Sequence, residues 1–90
     1  MAIVIEVPTP LRKFTGGARR ATVEAETVGA ALQGWSAGNH PLQARLFEGE
    51  ALRADLRVFV GGNDIRTLQG LETPLSEGQT VSIVPPVAGA

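Results

Sequence analysis

The residues best suited to chemistry lie at the carboxyl end of the chain. Gln79–Val84 alternates in polarity, which predicts a final strand. Pro85 and Pro86 should take residues 85–90 out of the sheet in an extended form, because proline lacks a backbone N–H and cannot continue a helix. The rest of this tail has small or apolar side chains without functional groups. The reactive group available there is therefore the terminal carboxylate of Ala90.

The rest of the chain offers no set of groups for catalysis. Its 90 residues include no cysteine and one histidine, His40, which excludes a disulfide framework, a thiolate nucleophile and a zinc–thiolate or histidine-cluster metal site. The formal net charge is −1 with both signs interspersed, which argues against nucleic acid or an acidic membrane as partner. No apolar run could span a membrane, and Met1–Ile3 opens a strand rather than a signal peptide. We expect one small cytoplasmic domain that is not itself an enzyme.

Two short β units flank one helix in the predicted order of elements. Residues 3–7 and 20–24 read as a hairpin whose turn contains consecutive glycines. Thr27 should N-cap a helix whose apolar side chains recur at helical spacing. These side chains are Val28, Ala31, Leu32 and Trp35. Gly38 should end this helix, and Pro41 should begin one further helical turn.

A second β unit precedes the tail. Residues 56–60 alternate as a third strand, and Asp64–Arg66 reads as its short partner after a tight turn. Glu48–Glu50 is expected only to break the chain. Three leucines in the irregular segment that follows should plug the core: Leu68, Leu71 and Leu75. This order predicts an α+β fold in which a sheet packs one main helix on one face.

Alternation also assigns the two faces of the predicted sheet. The residues expected to face the helix are Ile3, Ile5, Val7, Leu56, Val58, Val60, Val81 and Ile83. Val4, Phe59 and Val84 then face outward, with Arg57 nearby. Apolar side chains on a solvated face more often mark a binding surface than chance. We therefore predict that these four residues contribute to a partner-binding patch.

The final strand and tail resemble those of a known family. The run Val84-Pro85-Pro86-Val87-Ala88-Gly89, with Thr73-Pro74-Leu75 and Gly78 before it, is similar to the ubiquitin-like sulfur carriers. These include the small subunit of molybdopterin synthase, the thiamine-pathway carrier and the carrier that feeds a cysteine synthase. Their tails end in Gly-Gly, whereas this chain ends in Gly89-Ala90. The resemblance implies a β-grasp domain over residues 1–84, with the first and last strands parallel at the sheet centre, and an extended tail over 85–90.

The resemblance also implies a function. An adenylyltransferase similar to the ubiquitin-activating enzymes would use ATP to activate the terminal carboxylate, and a sulfur donor protein would convert it to a thiocarboxylate. Gly89 and Ala90 would be the loaded end, and the tail would insert into the partner through Pro85, Pro86, Val87 and Ala88. The chain would bind no cofactor itself.

Two recipients fit the resemblance, a pyridoxal-phosphate-dependent cysteine synthase and the large subunit of molybdopterin synthase. The long insertion between helix and third strand, together with Leu11–Gly17, looks more like the cysteine-synthase carriers. Three alternatives remain open: a noncatalytic ubiquitin-like interaction module, a protein modifier joined to lysines, and a carrier whose loading is blocked by Ala90.

Overall fold

Residues 1–85, the part of the chain that the computed structural model describes, form two α-helices, three short 3-10 helices and seven strands. The strands are β1 (Ala2–Glu6), β2 (Arg20–Glu24), β3 (Phe47–Glu48), β4 (Ala51–Leu52), β5 (Arg57–Val60), β6 (Asn63–Asp64) and β7 (Thr80–Val84). The α-helices are α1 (Val28–Ser36) and α2 (His40–Leu46), and short 3-10 helices cover Thr9–Phe14, Ile65–Thr67 and Gly70–Glu72.

Five strands form one mixed sheet in the order β2-β1-β7-β5-β6. Strand β1 pairs antiparallel with β2 and parallel with β7, where Ile5 lies opposite Val81. Strand β5 pairs antiparallel with the other edge of β7. The first and last strands therefore lie side by side inside the sheet, and the prediction of an α+β fold with a mixed sheet and one main helix is confirmed.

Helix α1 packs on one face of the sheet because its apolar side chains recur with the helical period. Its amino end is capped as predicted, with the backbone N–H of Ala30 donating to Thr27 Oγ1 at 3.2 Å. All the residues predicted to face the helix are buried: Ile3, Ile5, Val7, Leu56, Val58, Val60, Val81 and Ile83. Leu42 and Leu46 of α2 join the same core. Trp35 is half-buried at its edge rather than enclosed within it.

The segment between α1 and β5 contains more structure than predicted. Residues 48–50 were expected only to break the chain, but they include the turn of the β3–β4 hairpin. Phe47 pairs with Leu52 in that hairpin and is buried in the core. Strands of two residues are too short for alternation to be recognised in a sequence.

Two expectations for the segment after β5 were wrong. Strand β6 stops at Asp64 instead of continuing to Arg66, because Asp64 Oδ1 accepts a hydrogen bond from the backbone N–H of Arg66 at 2.9 Å and caps a 3-10 helix. Leu68 is 45% exposed, whereas Leu75 is buried and Leu71 is half-buried against the core. Leu68 follows the 3-10 helix directly, so the early end of β6 changes where its side chain points.

Candidate functional site

The tail leaves the sheet from one of its inner strands. Strand β7 has a neighbour on each side and ends at Val84, and Pro85 is half-buried beyond it. The rest of the predicted tail, namely Pro86, Val87, Ala88, Gly89 and Ala90, lies outside the described residues. The roles assigned to those residues therefore stay predictions, and the described chain shows what surrounds the start of the tail.

Strand direction decides what lies beside the start of the tail. Because β1 and β7 are parallel while β2 and β5 run antiparallel to their neighbours, the carboxyl ends of β1 and β7 meet the amino ends of β2 and β5. Val84 lies opposite Arg57, and Ser82 lies opposite Glu6. Ser82 Oγ donates a hydrogen bond to Glu6 Oε1 at 3.2 Å, which links the two central strands on the side of the sheet away from α1.

The structure places the residues of the predicted patch on three neighbouring strands of the sheet. Phe59 pairs with Ser82 while Arg57 pairs with Val84, so Phe59 and Val84 are diagonal neighbours on adjacent strands. Val84 is 42% exposed and Phe59 is half-buried. Val4 shares the same face of the sheet but pairs with Thr80 on the far side of β7. Phe59, Val84 and Arg57 are therefore neighbours on the outer face, whereas Val4 lies across β7 from them, and the role of all four in partner binding stays a prediction.

A groove at the start of the tail was not foreseen. It has a volume of about 630 Å³ and lies between the first 3-10 helix, α2 and the loop before β5. Its apolar lining comprises Leu11, Phe14, Pro41, Ala44, Leu56 and Pro85, and we call it the tail-root groove. The sequence predicts a turn over residues 14–18 and no helical turn before it. The signal that could have revealed it is the spacing of Leu11 and Phe14, which marks one face of a helical turn.

Basic residues gather at the end of the sheet from which the tail leaves. They are Arg12, Lys13, Arg19, Arg20, Arg45, Arg53 and Arg57, and the guanidinium of Arg66 also reaches this end to donate to the carbonyls of Ala54 and Leu56. The opposite end carries Glu24, Glu26, Glu72 and Glu77. Glu6 and Asp55 also lie at the basic end, but basic residues outnumber them there, so a nearly neutral chain has an uneven charge distribution.

The described residues contain no obvious catalytic arrangement. Across residues 1–85 no group of three or more histidine, cysteine, aspartate or glutamate side chains is placed to hold a metal ion. His40 is exposed at the start of α2, as expected for a lone histidine before a proline. Among the same residues neither helix has the length and apolar character needed to cross a membrane. Of the features predicted from the sequence, the one that could take part in chemistry is the tail that follows Pro85.

A mixed sheet with parallel first and last strands and one main helix on a single face defines the ubiquitin-like β-grasp class. Within that class the sequence matches the ThiS family over residues 5–89. The chain belongs to this family and is a ubiquitin-like sulfur carrier rather than an enzyme.

Individual relatives agree with this assignment. The chain is 30% identical to the sulfur carrier protein CysO of Mycobacterium tuberculosis over 92 residues, which covers 99% of each chain. It superposes with a TM-score of 0.90 on a chain of the crystal structure of the Amycolatopsis orientalis BexX/CysO complex, at 32% identity and covering 98% of this chain and 99% of that one. It is also 36% identical to small archaeal modifier protein 3 of Haloferax volcanii over 63 residues, which covers 70% of this chain and 68% of the relative.

Proposed function

We propose that the carboxylate of Ala90 is adenylated with ATP by a separate activating enzyme and then converted to a thiocarboxylate. The observation that carries the proposal is the position of β7, which is held between β1 and β5 and ends at Val84. Beyond Val84 the chain consists of residues 85–90, which have no functional side chain. A rigid domain followed by such a segment suits a tethered substrate.

The chemistry of loading lies in the partners. An ionised carboxylate resists attack by a nucleophile, so it must first displace pyrophosphate from ATP and form an acyl-adenylate. A persulfide on a sulfur donor protein then attacks the acyl carbon, AMP leaves, and a thiol reduces the resulting acyl disulfide to release the thiocarboxylate. The carrier contributes the carboxylate and its delivery. Fully extended, residues 85–90 would reach about 20 Å, which is enough to enter the active site of another protein.

The recipient that we propose is a pyridoxal-phosphate-dependent cysteine synthase. Similarity to CysO over almost the whole chain supports this choice over the large subunit of molybdopterin synthase. In the reaction the thiocarboxylate sulfur would act as the nucleophile that forms a carbon–sulfur bond on the amino acid substrate.

Intact mass spectrometry tests the proposal directly. The full chain is incubated with ATP, a persulfide donor and the adenylating enzyme of the same organism, and a mass gain equal to the exchange of one oxygen for one sulfur is expected. A chain lacking Gly89 and Ala90 is the matched control and should gain nothing. No mass change in the full chain, even when Ala90 is replaced by glycine, would leave a noncatalytic interaction module as the better account.

A protein modifier is the second candidate, because the chain is 36% identical to small archaeal modifier protein 3 over 63 residues. The same incubation in cell extract distinguishes the two functions. A modifier would give an isopeptide bond between Ala90 and a lysine of another protein, whereas a carrier would give a thiocarboxylate that is consumed when the cysteine synthase and its substrate are added.

A further inference from the structure

The tail-root groove combines an apolar floor with cations that are held in place. Phe14 lines the groove, with Lys13 Nζ 5.2 Å and Arg45 Cζ 5.6 Å from the centroid of its ring. Cations at these distances are attracted to an aromatic face. The ring therefore orients two positive groups along the apolar lining of the groove.

Within the described residues, Lys13 and Arg45 are available to bind an anion from another molecule. Arg53 also lines the groove, but its Nε lies 3.5 Å from Asp55 Oδ1 and is paired there. Within residues 1–85 no carboxylate comes within 4 Å of the charged nitrogens of Lys13 or Arg45. The groove therefore has positive charge to match with a ligand, and its one carboxylate, that of Asp55, is engaged by Arg53.

Local hydrogen bonds fix the walls of the groove. Asn39 Nδ2 donates to the carbonyl of Phe14 at 2.8 Å, while Asn39 Oδ1 accepts from the backbone N–H of Leu42 at 3.3 Å. One side chain thus ties the first 3-10 helix to the start of α2. Arg12 Nε also donates to the carbonyl of Val7 at 3.2 Å, which ties the same 3-10 helix to the end of β1. A groove with fixed walls loses little entropy when it binds a ligand.

We propose that the tail-root groove binds an acidic, extended segment of the enzyme that activates the tail, which rests on the proposed function. Pro85 forms part of the wall, so an enzyme that encloses the tail must come against the groove. Carboxylates of the segment pair with Lys13 and Arg45, and an apolar side chain between them contacts Phe14. Docking beside the tail brings the terminal carboxylate to the ATP bound by the enzyme before adenylation. It therefore contributes to the affinity of the enzyme for the carrier rather than to the rate of the chemical step.

Charge reversal tests the proposal through the kinetics of adenylation. The variant carrying both Lys13→Glu and Arg45→Glu should raise the KM for the carrier by about tenfold at low salt with little change in kcat. Lys13→Arg keeps the charge and should keep the KM. Glu26→Lys, which changes charge at the opposite end, separates local docking from attraction by the charge of the whole molecule. Glu26→Lys makes the net charge more positive by two units, whereas the double variant makes it more negative by four, so attraction by the whole molecule predicts a lower KM for Glu26→Lys. An unchanged KM in the double variant, or a fall in KM with Glu26→Lys of about half the logarithmic change in the double variant, would overturn the proposal.

Equilibrium binding without ATP separates this proposal from the proposed function. If the enzyme binds the chain through the groove but never adenylates it, the sulfur-carrier chemistry fails and the docking site stands. If the enzyme adenylates the chain and binds the double charge-reversal variant as tightly as the unaltered chain, the docking site fails and the chemistry stands. Lys13 and Arg45 are both exposed, so the melting temperature of the double variant should confirm that it folds.

Carbodiimide cross-linking identifies the occupant, because Lys13 is the only lysine in the chain. The other amine, at Met1, lies at the opposite end of the sheet near Glu24. Peptide mapping should find Lys13 joined to an aspartate or glutamate of the enzyme, and Lys13→Arg should remove this link while binding persists. A link from Lys13 to Ala90 of the same chain would assign the groove to the tail itself. A link to a second copy would assign it to self-association, and either result overturns the proposal.

Discussion

Gly29 lies where α1 packs tightly against Leu71, in the segment before β7. A Cβ built on Gly29 would lie 3.0 Å from the carbonyl oxygen and 3.2 Å from the Cβ of Leu71, whereas a Cβ on Gly34 would meet nothing within 4 Å. The Leu71 segment has little freedom to withdraw, because Val28 N–H donates to the carbonyl of Thr73 at 3.1 Å. Two glycines in one helix thus have different physical roles, which their shared low helix propensity does not reveal.

Alanine at these two positions should therefore change stability in opposite directions. Gly34→Ala should raise the free energy of unfolding by about 1 kcal/mol, since alanine favours the helix and meets no obstacle. Gly29→Ala gains the same propensity but overpacks against backbone, so a net loss of about 1–2 kcal/mol is expected. Urea unfolding of both variants measures the difference. Equal stabilisation by the two changes would show that the helix can move away from Leu71.

The outer face of the sheet permits a second test at single residues. Val84→Asp should reduce affinity for the activating enzyme, because it places a charge on the exposed surface and neutralises Arg57, its cross-strand partner. The cost to folding should stay below about 1 kcal/mol, since opposite charges across a strand pair attract. Phe59→Ala should reduce affinity in the same way.

Val4→Thr is the matched control for the outer face, because Val4 lies across β7 from this surface. It should leave affinity unchanged. Affinity is measured by calorimetry and folding by the melting temperature. An effect of Val4→Thr as large as that of Phe59→Ala would include Val4 in the binding surface, and no effect of any change would exclude this face from binding.

One residue at the start of helix α2 makes two hydrogen bonds that help to fix the helix. Asn39 both caps the helix and holds the first 3-10 helix through the carbonyl of Phe14. The helix spans only His40–Leu46, and segments of this length are not stable alone in water. Its position therefore depends on the buried side chains of Leu42 and Leu46 and on this cap.

Replacement of Asn39 should separate capping from the link to Phe14. Asn39→Ala removes both hydrogen bonds and should cost about 1–2 kcal/mol. Asn39→Ser keeps an oxygen that can cap the helix but lacks the amide that donates to the carbonyl of Phe14. About half of that loss in stability is therefore expected. Chemical denaturation gives the two values, and hydrogen exchange of residues 9–14 reports the lost link. If Asn39→Ser unfolds at the same urea concentration as the unaltered chain, the link to Phe14 does not stabilise the domain; if it unfolds together with Asn39→Ala, the cap does not.

At the scale of the whole molecule, the stable domain and the proposed working end are separate. Within the described residues the core ends with Ile83 and the last strand with Val84. Gly89 and Ala90 should therefore affect loading without affecting folding. The ubiquitin-like sulfur carriers that this chain resembles end in glycine, and Ala90 adds one methyl group at that position. This methyl group would crowd a channel of the activating enzyme that is shaped for Gly-Gly.

Ala90→Gly should accelerate adenylation if the enzyme's channel is that narrow. A steric penalty of about 1–3 kcal/mol corresponds to roughly ten- to a hundredfold in rate when it acts fully in the transition state. Removal of Gly89 and Ala90 should abolish adenylation and leave the melting temperature unchanged. Single-turnover adenylation of the three chains by one enzyme gives the comparison. A slower Ala90→Gly chain would indicate a channel adapted to alanine.

Much of the fold could be predicted because its signals are local. Alternation marked the buried side chains of the long strands, helical spacing marked α1, and Thr27 marked where α1 begins. Each of these patterns reflects the repeat of one element and the need to bury one of its faces. The composition of residues 85–90 likewise excluded side-chain chemistry there.

Tertiary structure alone decided which residues meet. Alternation predicts the face of the sheet on which a side chain lies but not its neighbours on the adjacent strands. Strand order and register placed Phe59 beside Val84, and Val4 across β7 from them. The tail-root groove joins four separate segments, so the spacing of Leu11 and Phe14 could reveal a helical turn but not the groove itself. Basic residues from distant parts of the chain gather because the parallel pairing of β1 and β7 sets the turn after β1 and the start of the tail at one end of the sheet. Contacts between distant segments depend on packing, which has no period in the sequence.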